Sequence, residues 1–162
     1  MNAMRLFALT VLLSSCAACA QTETFDQMLE DLLSHSVSEI TPSELKTFQN
    51  PIILDARERQ EFDVSHIPGA IFLGYDNFDI SSAKYFSKNK TVVVYCSVGF
   101  RSEKIAEKLL NSGFFDVYNL RGGIFQWVNE GNPVLDKSGP TKNVHTYNEK
   151  WSKWLIKGKK QW

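Results

Sequence analysis

The segment KTVVVYC, residues 90–96, limits the fold more than any other part of the sequence. Its residues 92–95 are apolar or aromatic at consecutive positions, so both faces of the strand that they form must be buried. A strand with one face in water would alternate apolar and polar residues. The segment therefore predicts a central strand of a parallel sheet that carries helices on both faces.

Strand and helix patterns alternate around this segment. The predicted strands are VSEI, PIILDAR, GAIFLGY, KTVVVYC and VYNL, and the predicted helices cover residues 25–33, the segment TPSEL, residues 102–112 and GGIFQWVNEG. Thr41, Pro42 and Glu44 form the typical start of a helix, with a capping box. The alternation predicts an α/β fold with about five parallel strands flanked by helices.

Composition excludes several classes of function. The 162 residues suit one ordinary domain, and 18 basic residues balance 18 acidic ones. The basic excess of a general nucleic-acid-binding protein is absent, so we expect no nucleic-acid partner. The sequence contains no zinc-type cluster of Cys and His, no G-x-G-x-x-G loop and no P-loop. We therefore expect neither a metal nor a cofactor.

Residues 1–20 have the pattern of a secretory signal. Arg5 precedes a short apolar run, residues 6–13, and small residues follow through Ala20. The run is too short to cross a bilayer core of about 30 Å. We expect export, to the periplasm or to a membrane anchor of the bacterial envelope.

The end of this signal has two interpretations. LSSC resembles the lipobox of bacterial lipoproteins, which predicts lipidation of Cys16, whereas ACA fits ordinary cleavage before Gln21. We favour lipidation of Cys16. Cys16 and Cys19 also have C-x-x-C spacing, but they lack the helix N-terminus that makes such a pair reactive, so we set the redox interpretation aside.

The lone cysteine after the central strand is the main candidate for chemistry. Ligands of open parallel sheets bind beyond the carboxyl ends of the strands, where Cys96 lies. Loop amides and a helix N-terminus favour an anion there, and Arg101 adds a fixed positive charge. Gly99 permits a backbone conformation that larger residues resist, and Ser102 can cap the helix. The alternative is a buried structural cysteine beside a surface arginine.

Three motifs in order favour the chemical interpretation. The segments LDARERQEFDVSHIPGAIFL, YCSVGFRS and NLRGGIFQW resemble the rhodanese-like family of sulfurtransferases, and the resemblance covers residues 37–134. The first motif includes Glu61 and His66. The chain departs from the family pattern at Ser65, where glycine is common, and in the tail beyond Pro140.

The resemblance implies a function for the loop. Related phosphatases use a longer loop that holds an oxyanion, whereas the six residues from Cys96 to Arg101 suit a single sulfur atom. Cys96 would carry sulfur as a persulfide, taken from a donor such as thiosulfate and given to cyanide or a thiol. The binding loop would comprise Ser97, Val98, Gly99, Phe100, Arg101 and Ser102, whose amides stabilise the anion.

Other residues receive structural assignments. We expect Asp55 and Arg57 to form a supporting ion pair, His66 to be structural, His145 to lack a catalytic partner, and Glu103 to point away from the sulfur. The predicted organisation is a signal at 1–20, a linker and helix at 21–34, a rhodanese-like domain at 35–135 and a basic, Trp-rich extension at 136–162. We expect a monomer.

Two alternatives stay open. One is a sulfur-binding or partner-binding module with little turnover. The other is a thiol-based redox protein of the cell envelope, although no second cysteine lies near Cys96 in the sequence.

Overall fold

The computed structural model describes residues 23–162, and the predicted signal with Cys16 lies outside the described residues. The helices are α1 (Phe25–Leu32), α2 (Pro42–Leu45), α3 (Arg59–Val64), α4 (Phe100–Asn111), α5 (Gly123–Asn129) and α6 (Glu149–Ser152), with a 3-10 turn at Ile80–Ala83. The strands are β1 (Ser38–Ile40), β2 (Ile52–Asp55), β3 (Ile71–Phe72), β4 (Val92–Tyr95), β5 (Val117–Leu120), β6 (Val134–Asp136), β7 (Gly139–Thr141), β8 (Asn143–His145) and β9 (Lys159–Gln161).

Five parallel strands form the main sheet in the order β1-β5-β4-β2-β3. Strand β4 is central, and all four of its residues are fully buried. Helices cover both faces of the sheet, so the predicted α/β fold with about five parallel strands is confirmed.

The side chains of β4 belong alternately to two apolar cores. Val93 and Tyr95 join the core that α1, α5 and the C-terminal extension cover, while Val92 and Val94 join the core under α4. This two-sided burial explains why the strand reads as an uninterrupted apolar run. It also fixes the position of Cys96, since the residue after Tyr95 leaves the sheet at its carboxyl edge.

Two local predictions differ from the structure. The strand predicted at GAIFLGY shrinks to two residues, because after Phe72 the chain turns so that the amides of Leu73 and Gly74 both donate to the Asp55 carbonyl. Helix α4 begins at Phe100, two residues before the predicted start. The capping box at Thr41 is present as predicted.

The C-terminal extension packs on the domain. Trp154 and Leu155 are buried in the same core as α1 and α5, and the Trp154 ring lies 5.5 Å from that of Phe25. The extension contains strand pair β8–β9 and helix α6, none of which the sequence pattern predicted. Lys157, Lys159 and Lys160 are exposed. Within residues 23–162, no helix is both long and apolar enough to cross a membrane.

Candidate active site

Cys96 lies at the base of the loop that joins β4 to α4. Its side chain is buried, and the Gly99 amide donates a hydrogen bond to Sγ at 3.1 Å. A partial positive charge therefore points directly at the sulfur. Loop residues Ser97 and Val98 are buried beside it, whereas Phe100 is 41% exposed and faces the opening. The predicted ring of amides around a persulfide stays a prediction.

A buried asparagine fixes the top of the loop. Asn119 on β5 donates from Nδ2 to the Gly99 carbonyl at 3.0 Å, and its Oδ1 accepts from the Ser102 hydroxyl at 2.7 Å. The expectation that Ser102 caps the helix is wrong, because the helix starts earlier. Gly99 holds the cap position with a φ of 121°, a conformation that favours glycine.

The start of α5 closes over the other side of the loop. The amides of Ile124 and Phe125 donate to the carbonyls of Cys96 and Ser97 at 2.9 and 3.1 Å. This approach requires glycine at position 123, because a Cβ there would lie 2.3 Å from the Cys96 carbonyl oxygen. The glycine pair of NLRGGIFQW therefore brings a helix start against the cysteine loop.

Arg101 is bound to a buried carboxylate. Its guanidinium makes two hydrogen bonds to Glu61 on α3, at 2.6 and 2.8 Å, and a third to the Ser97 hydroxyl at 3.0 Å. Burial raises the pKa of Glu61, but hydrogen bonding and charge from Arg101 bring that pKa below its ordinary value. Burial lowers the pKa of Arg101, but Glu61 and the nearby Cys96 raise it by more. The net pKa is above its ordinary value, so the guanidinium stays protonated. The positive charge expected for the sulfur is thus shared with Glu61.

Asp55 and Arg57 form a fully buried ion pair at 2.7 Å beneath the loop. Burial lowers the pKa of Arg57, but the charges of Asp55, Tyr95 and Glu61 and the hydrogen bonds to Asp55 together raise it. Arg57 also donates to the Ser65 carbonyl at 2.6 Å, which ties β2 to the end of α3. Among the described residues, Arg57 Nη1 and Ser65 Oγ are buried without a hydrogen-bond partner. Neither Asp55 nor Arg57 contacts Cys96 through a hydrogen bond among these residues, so the pair supports the scaffold.

A pocket of about 360 Å³ opens onto Cys96. It is lined by Leu32, Glu58, Tyr75, Asp76, Cys96, Ser97, Val98, Phe100, Arg101, Tyr147 and Trp151. Tyr147 and Trp151 come from the C-terminal extension, and the Tyr147 ring lies 5.5 Å from the Arg101 guanidinium carbon. The extension therefore forms part of the wall of the candidate active site.

The three remaining candidates occupy different environments. His66 stacks on Phe62 and hydrogen-bonds its carbonyl at 3.1 Å, as a structural histidine does. Glu103 accepts hydrogen bonds from the amides of Ser34 and Ser36, away from the sulfur. His145 accepts the Tyr147 amide at Nδ1, 3.0 Å away, and burial lowers its pKa.

Sequence reasoning missed several residues of the site, including Leu32, Glu58, Tyr75 and Asp76 of the pocket lining. Glu61 matched a motif but received no role, and Asn119, Tyr147 and Trp151 were not considered as site residues. A polar residue inside the apolar strand VYNL was the available signal for Asn119. Among residues 23–162, no group of three or more His, Cys, Asp or Glu side chains could hold a metal ion.

The family model described as "Rhodanese-like domain" matches residues 41–130 of this chain. The match includes the cysteine loop, with Gly99, and Gly123 at the start of α5. The chain belongs to the rhodanese-like domain family. The prediction made from the three motifs is confirmed. The chain is 31% identical over 96 residues to "Thiosulfate sulfurtransferase GlpE" of Coxiella burnetii, covering 59% of this chain and 89% of that protein.

Other relatives differ in length and name. A "tRNA uridine(34) hydroxylase" of Buchnera aphidicola is 32% identical over 96 residues, which are 54% of this chain and 31% of that protein. The chain thus spans about a third of the length of that relative. A crystal structure of a rhodanese-like domain protein from Staphylococcus aureus matches with a TM-score of 0.52 and 30% identity, covering 62% of this chain and 98% of the other.

Proposed function

We propose that this protein is a thiosulfate-type sulfurtransferase that carries sulfane sulfur on Cys96. One observation carries the proposal: the Cys96 sulfur lies at the base of an open pocket with an amide hydrogen, that of Gly99, aimed at it. A buried structural cysteine would have no such opening and would need no donor.

The chemistry consists of two displacements. The Cys96 thiolate attacks the outer sulfur of thiosulfate, a sulfur–sulfur bond forms, and the old sulfur–sulfur bond breaks with its electron pair leaving on sulfite. Cyanide or a thiolate then attacks the terminal sulfur of the persulfide. The Cys96 thiolate departs, and thiocyanate or a new persulfide leaves the pocket. The Gly99 amide is placed to stabilise the sulfur anion in both steps.

The comparisons support this activity over the alternatives. The relative named a thiosulfate sulfurtransferase matches over most of its own length, whereas the named hydroxylase matches over less than a third of its length. Cys96 is the single cysteine within residues 23–162, which disfavours a disulfide-forming redox protein. A low-turnover binding module is the remaining alternative, and a turnover assay distinguishes it.

Mass spectrometry of the protein treated with thiosulfate tests the proposal. We expect one added sulfur on Cys96 and steady thiocyanate formation when cyanide is present. Cys96→Ser should lose both signals, and Ser112→Ala, a change at the far end of α4, should keep them. Persulfide formation without turnover to cyanide or any small thiol would favour the binding module. No added sulfur would refute the proposal.

We also propose that the protein is exported and lipidated at Cys16. The support is the sequence pattern of residues 5–20, where a short apolar run precedes LSSC. Two or more acyl chains at the new N-terminus would give stable attachment to a membrane. Cys16→Ala should move the protein from the membrane fraction to the periplasmic fraction and leave sulfur transfer unchanged. Wild-type protein in the soluble fraction with Gln21 at its N-terminus would refute lipidation.

A further inference from the structure

The lining of the pocket includes two acidic residues. These are Glu58 and Asp76, and the backbone amide of Asp76 donates to Glu58 Oε1 at 3.1 Å. Arg101 is the single basic residue among the lining side chains, and Glu61 pairs with it. Lys150 of α6 and Lys153, which directly follows that helix, line a neighbouring groove rather than this pocket. A lining with two acidic residues, and with its one arginine already paired, favours a cation over an anion of similar size, so loading Cys96 from the thiosulfate dianion calls for excess donor.

Aromatic rings form much of the rest of the wall. Tyr75, Phe100, Tyr147 and Trp151 all line the pocket, two of them from the C-terminal extension. The faces of aromatic rings carry partial negative charge and attract cations, most strongly when the ring is that of Trp. Carboxylates and aromatic faces thus favour the same kind of ligand, an organic cation.

From this arrangement we infer that the pocket selects a small thiol bearing an ammonium group as the acceptor of the Cys96 sulfur. The inference rests on the proposed sulfurtransferase activity and names its acceptor class. The ammonium group would lie between the Asp76 carboxylate and the Trp151 ring while the thiolate attacks the terminal sulfur of the persulfide. The products are the persulfide of the acceptor and the free Cys96 thiolate.

The test uses three small thiols that differ in charge. The full chain is first loaded with sulfur from excess thiosulfate and freed of donor. The loss of the added sulfur is then followed by mass spectrometry with cysteamine, 2-mercaptoethanol or 3-mercaptopropionate, each over a range of concentrations. These thiols differ in intrinsic reactivity. We therefore divide the rate with cysteamine by the rate with 3-mercaptopropionate for each protein, and compare this ratio between a variant and the wild type.

Asp76→Asn should slow transfer to cysteamine about threefold and speed transfer to 3-mercaptopropionate about threefold, because a unit charge about 6 Å away in water changes a rate by a factor of about three. The ratio should therefore fall about ninefold. Trp151→Leu keeps an apolar side chain but removes the ring, and should lower the ratio about two- to fivefold. Glu130→Gln removes an exposed carboxylate outside the pocket lining and should leave the ratio unchanged. High salt should reduce the effect of Asp76.

The outcomes separate the two proposals. Failure to load sulfur on Cys96 refutes the proposed activity itself. Loading followed by transfer, with the ratio unchanged in both Asp76→Asn and Trp151→Leu, refutes the selectivity and leaves the activity standing. A fall of the ratio in Glu130→Gln equal to that in Asp76→Asn also overturns the inference, because overall charge would then explain the preference.

Discussion

Gly123→Ala tests whether the start of α5 holds the cysteine loop in place. The backbone φ of Gly123 is 53°, where an alanine costs about 1–2 kcal/mol more than glycine. The added Cβ would also lie 2.3 Å from the Cys96 carbonyl oxygen and 2.7 Å from the Ser97 carbonyl oxygen. Both neighbours are backbone atoms, so α5 and the loop must move apart.

That movement stretches two hydrogen bonds, from the amides of Ile124 and Phe125, each worth about 1 kcal/mol. Alanine also restricts the unfolded chain, which returns about 0.4–1 kcal/mol. We expect Gly123→Ala to lower the free energy of unfolding by about 3 kcal/mol. Sulfur loading on Cys96 should fall in the same variant, because the loop carbonyls lose their partners.

Gly69→Ala is the matched control for this substitution. Gly69 also has a positive φ, 80°, but a Cβ there meets nothing within 4 Å. Gly69→Ala should lower the free energy of unfolding by about 1 kcal/mol and leave sulfur loading on Cys96 intact. Both variants are compared by urea unfolding and by mass spectrometry after thiosulfate treatment. A difference in stability below about 1 kcal/mol between them would refute the argument that the Cβ forces α5 and the loop apart.

Three further predictions concern buried polar groups. Ser65→Ala should be neutral or stabilise the fold by up to about 1 kcal/mol in urea unfolding, because it removes a buried hydroxyl that has no hydrogen-bond partner among residues 23–162. Glu61→Gln should lower stability by about 2–4 kcal/mol at neutral pH, since it leaves Arg101 unpaired. The pKa of Glu61 is lowered from 4.5, so this stabilisation is present above pH 4.5 and is lost as pH falls through the folded-state value, where the two proteins should converge. The pKa of His145 is lowered from 6.5, so folding should weaken as pH falls below 6.5, and His145→Gln should flatten that part of the urea-midpoint profile.

Local patterns were sufficient to predict the sheet and the position of Cys96 at its carboxyl edge. Residues 92–95 are all apolar or aromatic because both faces of the strand are buried. Such an uninterrupted run of consecutive residues can be recognised directly in the sequence. The capping box at Thr41 likewise depends on residues three positions apart. The position of Cys96 follows from the strand, since a residue directly after a central strand must lie at the sheet edge where loops meet.

The C-terminal extension could not be predicted in the same way. Strands β8 and β9 are each three residues long, and they pair with each other although helix α6 lies between them in the sequence. Neither strand is long enough to show an alternation of apolar and polar residues. Trp151 and Trp154 are three positions apart, yet one lines the pocket while the other enters the core. Only the packed fold distinguishes these two roles.

The role of Arg101 changes most between sequence and structure. Sequence spacing puts its charge beside the sulfur, but its partner Glu61 lies 40 residues away in the chain and is fully buried. Because the Glu61 carboxylate holds two guanidinium nitrogens, its negative charge offsets part of the positive potential that Arg101 creates at Cys96. The Gly99 amide, in contrast, is aimed at Sγ and has no competing acceptor among the hydrogen bonds of the described residues. The contacts of Arg101 thus join the loop to α3 through Glu61 and Ser97, and in the proposed reaction the Gly99 amide is the donor that contacts the sulfur directly.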